Sequence, residues 1–321
     1  MTFPHGKSQD SMEIVSQPPS ATLRAAWIDQ ARAHPWTTLG LAVAALAMLL
    51  LLAASTWQVL AGAAEDPLRL ALLGGMAAFG ATALGALPGV ALKGIDQRLE
   101  DSMLGLAAGM MLAASSFSLI LPGLEAAEAL TGSGSLGAGT VVIGMTLGVL
   151  LMLGLDQFTP HEHTHGGPCG AGCERIGRLW LFVFAIALHN LPEGMAIGVS
   201  FAQGDMAVGL PLTTAIALQD IPEGLAVAMA LRAIGLPPWR AVLLAAATGL
   251  MEPLGALLGV GLSSGLAIAY PIGLGLAAGA MIFVVSHEVI PETHRNGHQT
   301  PATLGLMGGF ALMMVLDTTL G

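Results

Sequence analysis

Charged residues are scarce in this chain of 321 residues. Only 10% are Asp, Glu, Lys or Arg, while 54% are hydrophobic, and the mean hydropathy is +0.75. Soluble domains carry about 25% charged residues, so a soluble fold of this size would have too few charges to cover its surface. The scarcity disfavours soluble enzymes and disordered proteins, and it predicts a protein embedded in a lipid bilayer.

Cysteine, aromatic and basic residues are also rare. The two cysteines, Cys169 and Cys173, are too few for a disulfide framework. Aromatic residues make 5% of the chain, whereas glycine contributes 43 residues, a density of small residues that is typical of closely packed transmembrane helices. The formal net charge of −10 disfavours a nucleic-acid partner, because such proteins need basic patches.

Nine segments are long and apolar enough to cross a bilayer, which takes about 20 residues. They cover residues 37–64, 70–92, 102–124, 129–155, 179–204, 206–231, 241–264, 265–286 and 302–320. We therefore predict an all-α polytopic membrane protein. A helix lying on the membrane surface is the alternative for 37–64, but its 28 residues without a charge argue against it.

The basic residues predict the orientation of these spans. If the N-terminus is cytoplasmic, ten Lys and Arg residues lie inside and only Arg69 lies outside, as the positive-inside rule requires. We therefore expect a cytoplasmic tail at 1–36, which shows no signal peptide, a cytoplasmic loop at 157–178, and a C-terminus outside. The expected location is the plasma membrane, which in a bacterium is the inner membrane.

Four carboxylates lie inside the predicted spans: Glu193, Asp220, Glu223 and Glu252. At about 1.5 Å rise per residue, each is within roughly 7 Å of the midplane. An ionised carboxylate there costs about 2.5–3.5 kcal/mol, and no Lys or Arg lies in any predicted span. Two divalent cations, or protons, are the remaining partners; the alternative is a set of permanently protonated acids that join helices.

The sequence around these acids is repeated. Ala-Leu-His-Asn-Leu-Pro-Glu-Gly at 187–194 returns thirty residues later as Ala-Leu-Gln-Asp-Ile-Pro-Glu-Gly at 217–224. His189 and Glu193 are four residues apart and share one helix face, as do the equivalent residues of the second motif. Each helix is therefore predicted to offer a cluster of nitrogen and oxygen ligands to one cavity.

A proline stands beside an acid in each of the three helices, at Pro192, Pro222 and Pro253. A proline inside a helix removes one amide donor and disturbs the preceding turn. Broken helices at membrane depth line the ion sites of transporters. We therefore expect the carbonyls of Leu188 and Leu218, four residues before the first two prolines, to be free acceptors beside the carboxylates.

The two motifs and Glu252 resemble the ZIP (Zrt/Irt-like) family of divalent-metal transporters. The resemblance implies an eight-helix core at 69–321 with an inverted repeat, to which the helix at 37–64 would be an addition. It also implies a binuclear metal centre, and alternating access in which one helix group slides against the other. The ligands implied are Met111, His189, Asn190, Glu193, Gln219, Asp220, Glu223 and Glu252. A cytoplasmic N-terminus departs from the family pattern, in which chains usually begin outside.

This ligand set predicts the class of metal. Imidazole and thioether groups argue against a specialist for Mg²⁺ or Ca²⁺, and a closed structural zinc site would be richer in Cys and His. Zn²⁺ is the first choice as the transported ion, with two ions at the midplane. Cd²⁺, Fe²⁺, Mn²⁺ and Co²⁺ are further candidates.

Other polar residues lie near the predicted membrane surfaces. The cytoplasmic loop has a weak metal-binding tract, for which a disordered polar loop is the alternative; its residues are His161, His163, His165, Cys169 and Cys173. Candidates for a metal exit are Asp156, His287 and Glu288. Asp317, near the outer end of the last span, would attract incoming cations or be simply interfacial. Because eight of the nine histidines fall on the cytoplasmic side, uptake is the expected direction.

Two other function classes fit the sequence less well. An intramembrane metalloenzyme would be expected to carry an H-E-x-x-H motif, but Pro291 takes the second His position after His287-Glu288. A proton-driven carrier of an organic substrate fits the acids but not the scarcity of aromatic and basic residues. Without a nucleotide-binding motif, transport is expected to be passive or ion-coupled, and the small residues would permit a homodimer.

Overall fold

The computed structural model describes residues 28, 31–61, 66–158, 178–233, 235–263 and 266–320. In this part of the chain the regular structure is entirely helical. Its long helices are α1 (Pro35–Leu60), α2 (Asp66–Ala86), α3 (Gln97–Thr131), α4 (Gly134–Phe158), α5 (Arg178–Ser200), α6 (Met206–Ala233), α7 (Pro238–Ser263), α8 (Ala269–His294) and α9 (Gln299–Leu320).

The helices fit a protein that crosses a membrane several times. Eight of them meet the length and hydropathy expected of a span, and α5, with 23 residues, has sufficient length. Large apolar side chains are exposed along the outer faces of α1, α4 and α9, such as Leu49, Ile143 and Leu304. An apolar surface of this kind suits contact with lipid. The prediction of an all-α polytopic membrane protein is confirmed.

The end of α3 differs from the prediction. Because no charged residue separates 129–131 from the next apolar segment, the sequence predicts that they begin the next span. In the structure they form the last turn of α3. The chain turns at Gly132, whose φ of 68° is left-handed. Glycine adopts this conformation without steric cost, which makes it a common helix terminator.

No break occurs at the prolines of the first two motif helices, because α5 continues through Pro192 and α6 through Pro222. A helix can lose one hydrogen bond to proline when neighbouring helices pack around it. The break lies in α7 instead, at Gly249 and Leu250. Glu252 consequently lies in the first turn of the second half of α7, where the positive end of the helix dipole favours a carboxylate.

Glycines hold together four of the helices. We call these the site-bearing group: α2, α5, α6 and α7. Gly194 and Gly198 of α5 lie directly against carbonyl oxygens of α7, and Gly259 of α7 lies against α5 in return. Gly85 of α2 lies against the backbone of α6, and Gly224 of α6 against that of α2. Because a Cβ at these positions would overlap backbone atoms, the helices approach more closely than larger residues would allow.

The other four core helices, α3, α4, α8 and α9, form a second set that we call the frame group. Gly105 and Gly109 of α3 lie against the backbone of α9. Gly144 of α4 and Gly279 of α8 join those two helices in the same way. At Gly123 of α3 the nearest atoms belong to α8 and α4, which connects the two helix pairs.

The boundary between the two groups is different. There α3 packs against α6 and α8 packs against α5. Among the described glycines of the eight core helices, only Gly273 has its nearest neighbours in the other group, and these are the side chains of Ser263 and Val199. Side chains, rather than interlocked backbones, therefore form the boundary.

Helix α1 lies outside both groups. Its one buried residue is Ser55, whose hydroxyl donates a hydrogen bond to the carbonyl of Leu257 in α7 (3.3 Å). Leu41 lies against Gly154 of α4. These contacts are consistent with a helix added to the periphery of a complete core.

Candidate metal centre

Three helices of the site-bearing group carry the four buried carboxylates to one depth. Glu193 is on α5, Asp220 and Glu223 are on α6, and Glu252 is on α7. From the helix lengths, each carboxylate lies within about 6 Å of the middle of its helix. Their exposure ranges from 0% for Glu193 and Glu252 to 7% for Glu223. The helices thus bring together side chains that are up to 59 residues apart in sequence (252 minus 193).

The carboxylates and one histidine form two triads that share a residue. The first triad is His189, Glu193 and Glu223; the second is Glu193, Asp220 and Glu252. In each triad one nitrogen or oxygen atom per residue lies within 4.8 Å of the others. In the first, His189 Nε2 lies 3.8 Å from Glu223 Oε1. Glu193 belongs to both triads and so connects them.

Five buried oxygen atoms around these triads have no hydrogen-bond partner. They are Asn190 Oδ1, Glu193 Oε2, Gln219 Oε1, Asp220 Oδ2 and Glu252 Oε2. Amide and ionised carboxylate oxygens accept hydrogen bonds but do not donate them, and a buried acceptor without a partner costs about 1–3 kcal/mol. Five such acceptors on the helices that carry the triads suit a cation better than an apolar interior.

Two hydrogen bonds fix the carboxylates at the centre. The Gln219 side chain donates from Nε2 to Glu193 Oε1 at 2.5 Å. Thr82, on α2, donates from its hydroxyl to Glu252 Oε1 at 2.7 Å. Thr82 could not be recognised from the sequence, because a threonine in an apolar helix without any motif carries no signal of its own.

Besides Gln219, two neutral ligand candidates lie outside the triads and are also buried: Met111 and Asn190. Met111 is fully buried in α3 of the frame group, and Asn190 is 2% exposed on α5. The thioether of Met111 remains a predicted ligand. Asn190 likewise remains a predicted ligand.

The residues predicted near the membrane surfaces are spread over several helices. Asp317 Oδ1, on α9, accepts a hydrogen bond of 2.6 Å from the hydroxyl of Ser118, on α3. His287 is exposed and stacks on Phe283 (ring centroids 5.0 Å apart), within a π-helical turn that also contains the partly buried Glu288.

Asp156 is partly buried near the end of α4. The remaining predicted surface residues lie outside the described part of the chain: His161, His163, His165, Cys169 and Cys173.

Comparison with known proteins identifies the family. The sequence model of the ZIP zinc transporters matches residues 156–317. The zinc transporter ZIPB of Bordetella bronchiseptica is 65% identical over 309 residues, which are 96% of this chain and 100% of that protein. The zinc transporter GufA of Myxococcus xanthus is 44% identical over 244 residues (75% and 95%), and human zinc transporter ZIP11 is 30% identical over 335 residues (78% and 97%). These relatives are named as transporters, not enzymes, and this chain belongs to the ZIP family of zinc transporters.

Proposed function

We propose that this protein moves zinc and related divalent transition-metal ions across the membrane into the cytoplasm, through two ion sites at the midplane. The observation that carries the proposal is the pair of buried triads that share Glu193 and are surrounded by unpartnered oxygen atoms. Two divalent ions would neutralise the four carboxylates. Because Zn–N and Zn–O bonds are about 2.0–2.2 Å long, two ligands of one ion lie at most about 4.4 Å apart, so small side-chain movements would complete each site.

The ligand types support a transported ion rather than a permanent structural one. One imidazole with carboxylate and amide oxygens binds zinc less tightly than a thiolate site would. Cd²⁺, Fe²⁺, Mn²⁺ and Co²⁺ are proposed as further substrates for the same reason. Met111, on the frame group, would add a soft ligand that favours Zn²⁺ and Cd²⁺ over Mg²⁺.

The glycine contacts support alternating access by sliding. All four carboxylates lie in the site-bearing group, which is interlocked internally. Since side chains form its boundary with the frame group, it could move as one unit with its ions and expose them to each side in turn. We propose that α1 is not part of this machinery and that residues 69–321 form the transport domain.

The proposed path begins at Asp317 and ends on the cytoplasmic side. With the N-terminus inside, Asp317 lies near the outer end of α9, and Asp156, His287 and Glu288 lie near the inner ends of α4 and α8. The loop with His161, His163, His165, Cys169 and Cys173 would receive ions as they leave. A homodimer in the plasma membrane is compatible with the apolar outer faces of the helices.

Zinc flux into proteoliposomes tests the proposal. Glu193→Gln removes the shared carboxylate with little change in shape, and we expect flux at the level of protein-free liposomes. Glu125→Gln, an exposed position in α3, is the matched control and should transport at the wild-type rate. Wild-type flux in Glu193→Gln, or no metal flux in the unmodified protein, would contradict the proposal. Accumulation of zinc by cells that express the protein tests the direction.

A further inference from the structure

We propose that Thr82 is a positioning residue that orients Glu252 and thereby sets the affinity of the second triad, Glu193–Asp220–Glu252, selectively. This inference rests on the proposed function. Thr82 lies outside the two repeated motifs, and its helix, α2, contributes no carboxylate to either triad. It is nonetheless connected to the centre by the 2.7 Å hydrogen bond to Glu252 Oε1.

The hydroxyl of Thr82 has one proton and two acceptors in reach. The carbonyl of Ala78, one turn earlier, is 3.3 Å away, and Glu252 Oε1 is 2.7 Å away. The shorter bond leads to a carboxylate, and hydrogen bonds to ionised acceptors are about twice as strong as neutral ones. The proton is therefore directed to Glu252.

Because of this bond, the two carboxylate oxygens of Glu252 differ in their hydrogen bonding. Oε1 is held by Thr82, while Oε2 is buried and has no partner. The hydroxyl fixes the rotation of the carboxylate and leaves Oε2 available to an ion. A ligand that is already oriented loses less conformational freedom on binding, and for this reason hydrogen-bond partners of metal ligands are worth 10–100-fold in affinity.

Thr82 is itself held rigidly. It is 3% exposed, and its carbonyl oxygen lies directly against Gly224 of α6. Its side chain lies against Gly249, at the break in α7 that precedes Glu252. Because α2, α6 and α7 meet at this residue, the hydroxyl has a fixed position relative to the site.

The effect should be confined to one triad. Glu252 belongs to the second triad and not to the first, which consists of His189, Glu193 and Glu223. If two ions bind, loss of the Thr82 hydroxyl should weaken one binding event and leave the other almost unchanged. A general packing defect would weaken both.

Calorimetric zinc titration of the purified full-length protein, with zinc flux in proteoliposomes, tests this. Thr82→Val keeps the shape and removes the hydroxyl, and we expect one of two zinc affinities to fall about 10–100-fold while the other stays within about twofold. Thr82→Ser restores the donor and should bind both ions as the wild type does. Thr213→Val is the matched control, since Thr213 is a buried threonine of α6 whose hydroxyl has no partner.

Each outcome discriminates. If Thr82→Val binds both ions with wild-type affinity, or if Thr82→Ser is impaired as strongly as Thr82→Val, the inference is wrong while the proposed function stands. If the wild-type protein binds no zinc, both fail. Retention of the other binding event in Thr82→Val shows that the variant is folded, and Thr82→Ala, which should lose the same single event, provides a second variant.

Discussion

The site-bearing group and the frame group are built from the same elements but are arranged for different tasks. Each has four helices, and in each the closest helix pairs interlock through glycines. The site-bearing group contains every carboxylate of the two triads, whereas the polar contacts of the frame group join pairs of side chains, such as Asp101 with His298 (2.8 Å) and Ser118 with Asp317. The difference underlies the proposal that close backbone packing preserves the site while the boundary between the groups, formed by side chains, allows the site to move.

A disulfide across the boundary should have the largest effect. A Cβ added at Gly273 of the frame group would lie 3.4 Å from the Cβ of Ser263 in the site-bearing group. This is close to the Cβ–Cβ distance of about 3.5–4.5 Å in disulfides. In a variant whose Cys169 and Cys173 are replaced by Ser, oxidised Ser263→Cys/Gly273→Cys should show no zinc flux, because the groups cannot slide. Reduction should restore flux.

The control for this experiment lies within the frame group. Gly123 and Leu274 have the same 3.4 Å separation, and an oxidised Gly123→Cys/Leu274→Cys variant should transport normally. Undiminished flux through the oxidised boundary disulfide would show that the two groups need not slide.

A larger residue in place of a glycine at a close helix–helix contact should have the next largest effect. Gly198→Val in α5 would place side-chain atoms against the carbonyl of Ala256 in α7, and overpacking of this kind costs about 1–3 kcal/mol or more. We expect a lower thermal unfolding midpoint in detergent and weaker zinc binding, because α5 and α7 carry Glu193 and Glu252. Gly308→Val is the control, because a Cβ at Gly308 would have no neighbouring atom within 4 Å, and it should leave both values unchanged. If the two variants lowered stability and zinc binding equally, the close contact between α5 and α7 would not be what preserves the site.

Removal of the charge at Asp317 should have the smallest effect. Asp317→Asn keeps an acceptor for the Ser118 hydroxyl but no longer attracts cations, so we expect KM for zinc to rise about two- to fivefold with little change in the maximal rate. The energy concerned is small because charges near the membrane surface are screened by water and salt. Flux measured at low and high ionic strength checks this, since the difference from the wild type should shrink as salt is added. A fall in maximal rate without a change in KM would contradict the entrance role.

The sequence was sufficient to predict the class of fold, and it singled out the four acids that the structure brings together. Apolar runs gave nine helices, and the i, i+4 spacing of His189 and Glu193 put them on one face. What it did not predict depended on neighbours. Continuity of α5 and α6 through their prolines and the break in α7 depend on packing, while the hydroxyl of Thr82 becomes relevant only because α2 packs against α7.

The sequence by itself determined that this is a membrane protein and that four acids, without any Lys or Arg, fall near the middle of its predicted spans, because hydropathy and charge are properties of the chain alone. Tertiary structure decided that the acids and His189 form two triads that share Glu193, and that several of their oxygens are buried without a hydrogen-bond partner. It also decided the division into two helix groups. The physical reason is that a glycine in the sequence is only a small residue, and the helix backbone packed against it shows which contacts are rigid.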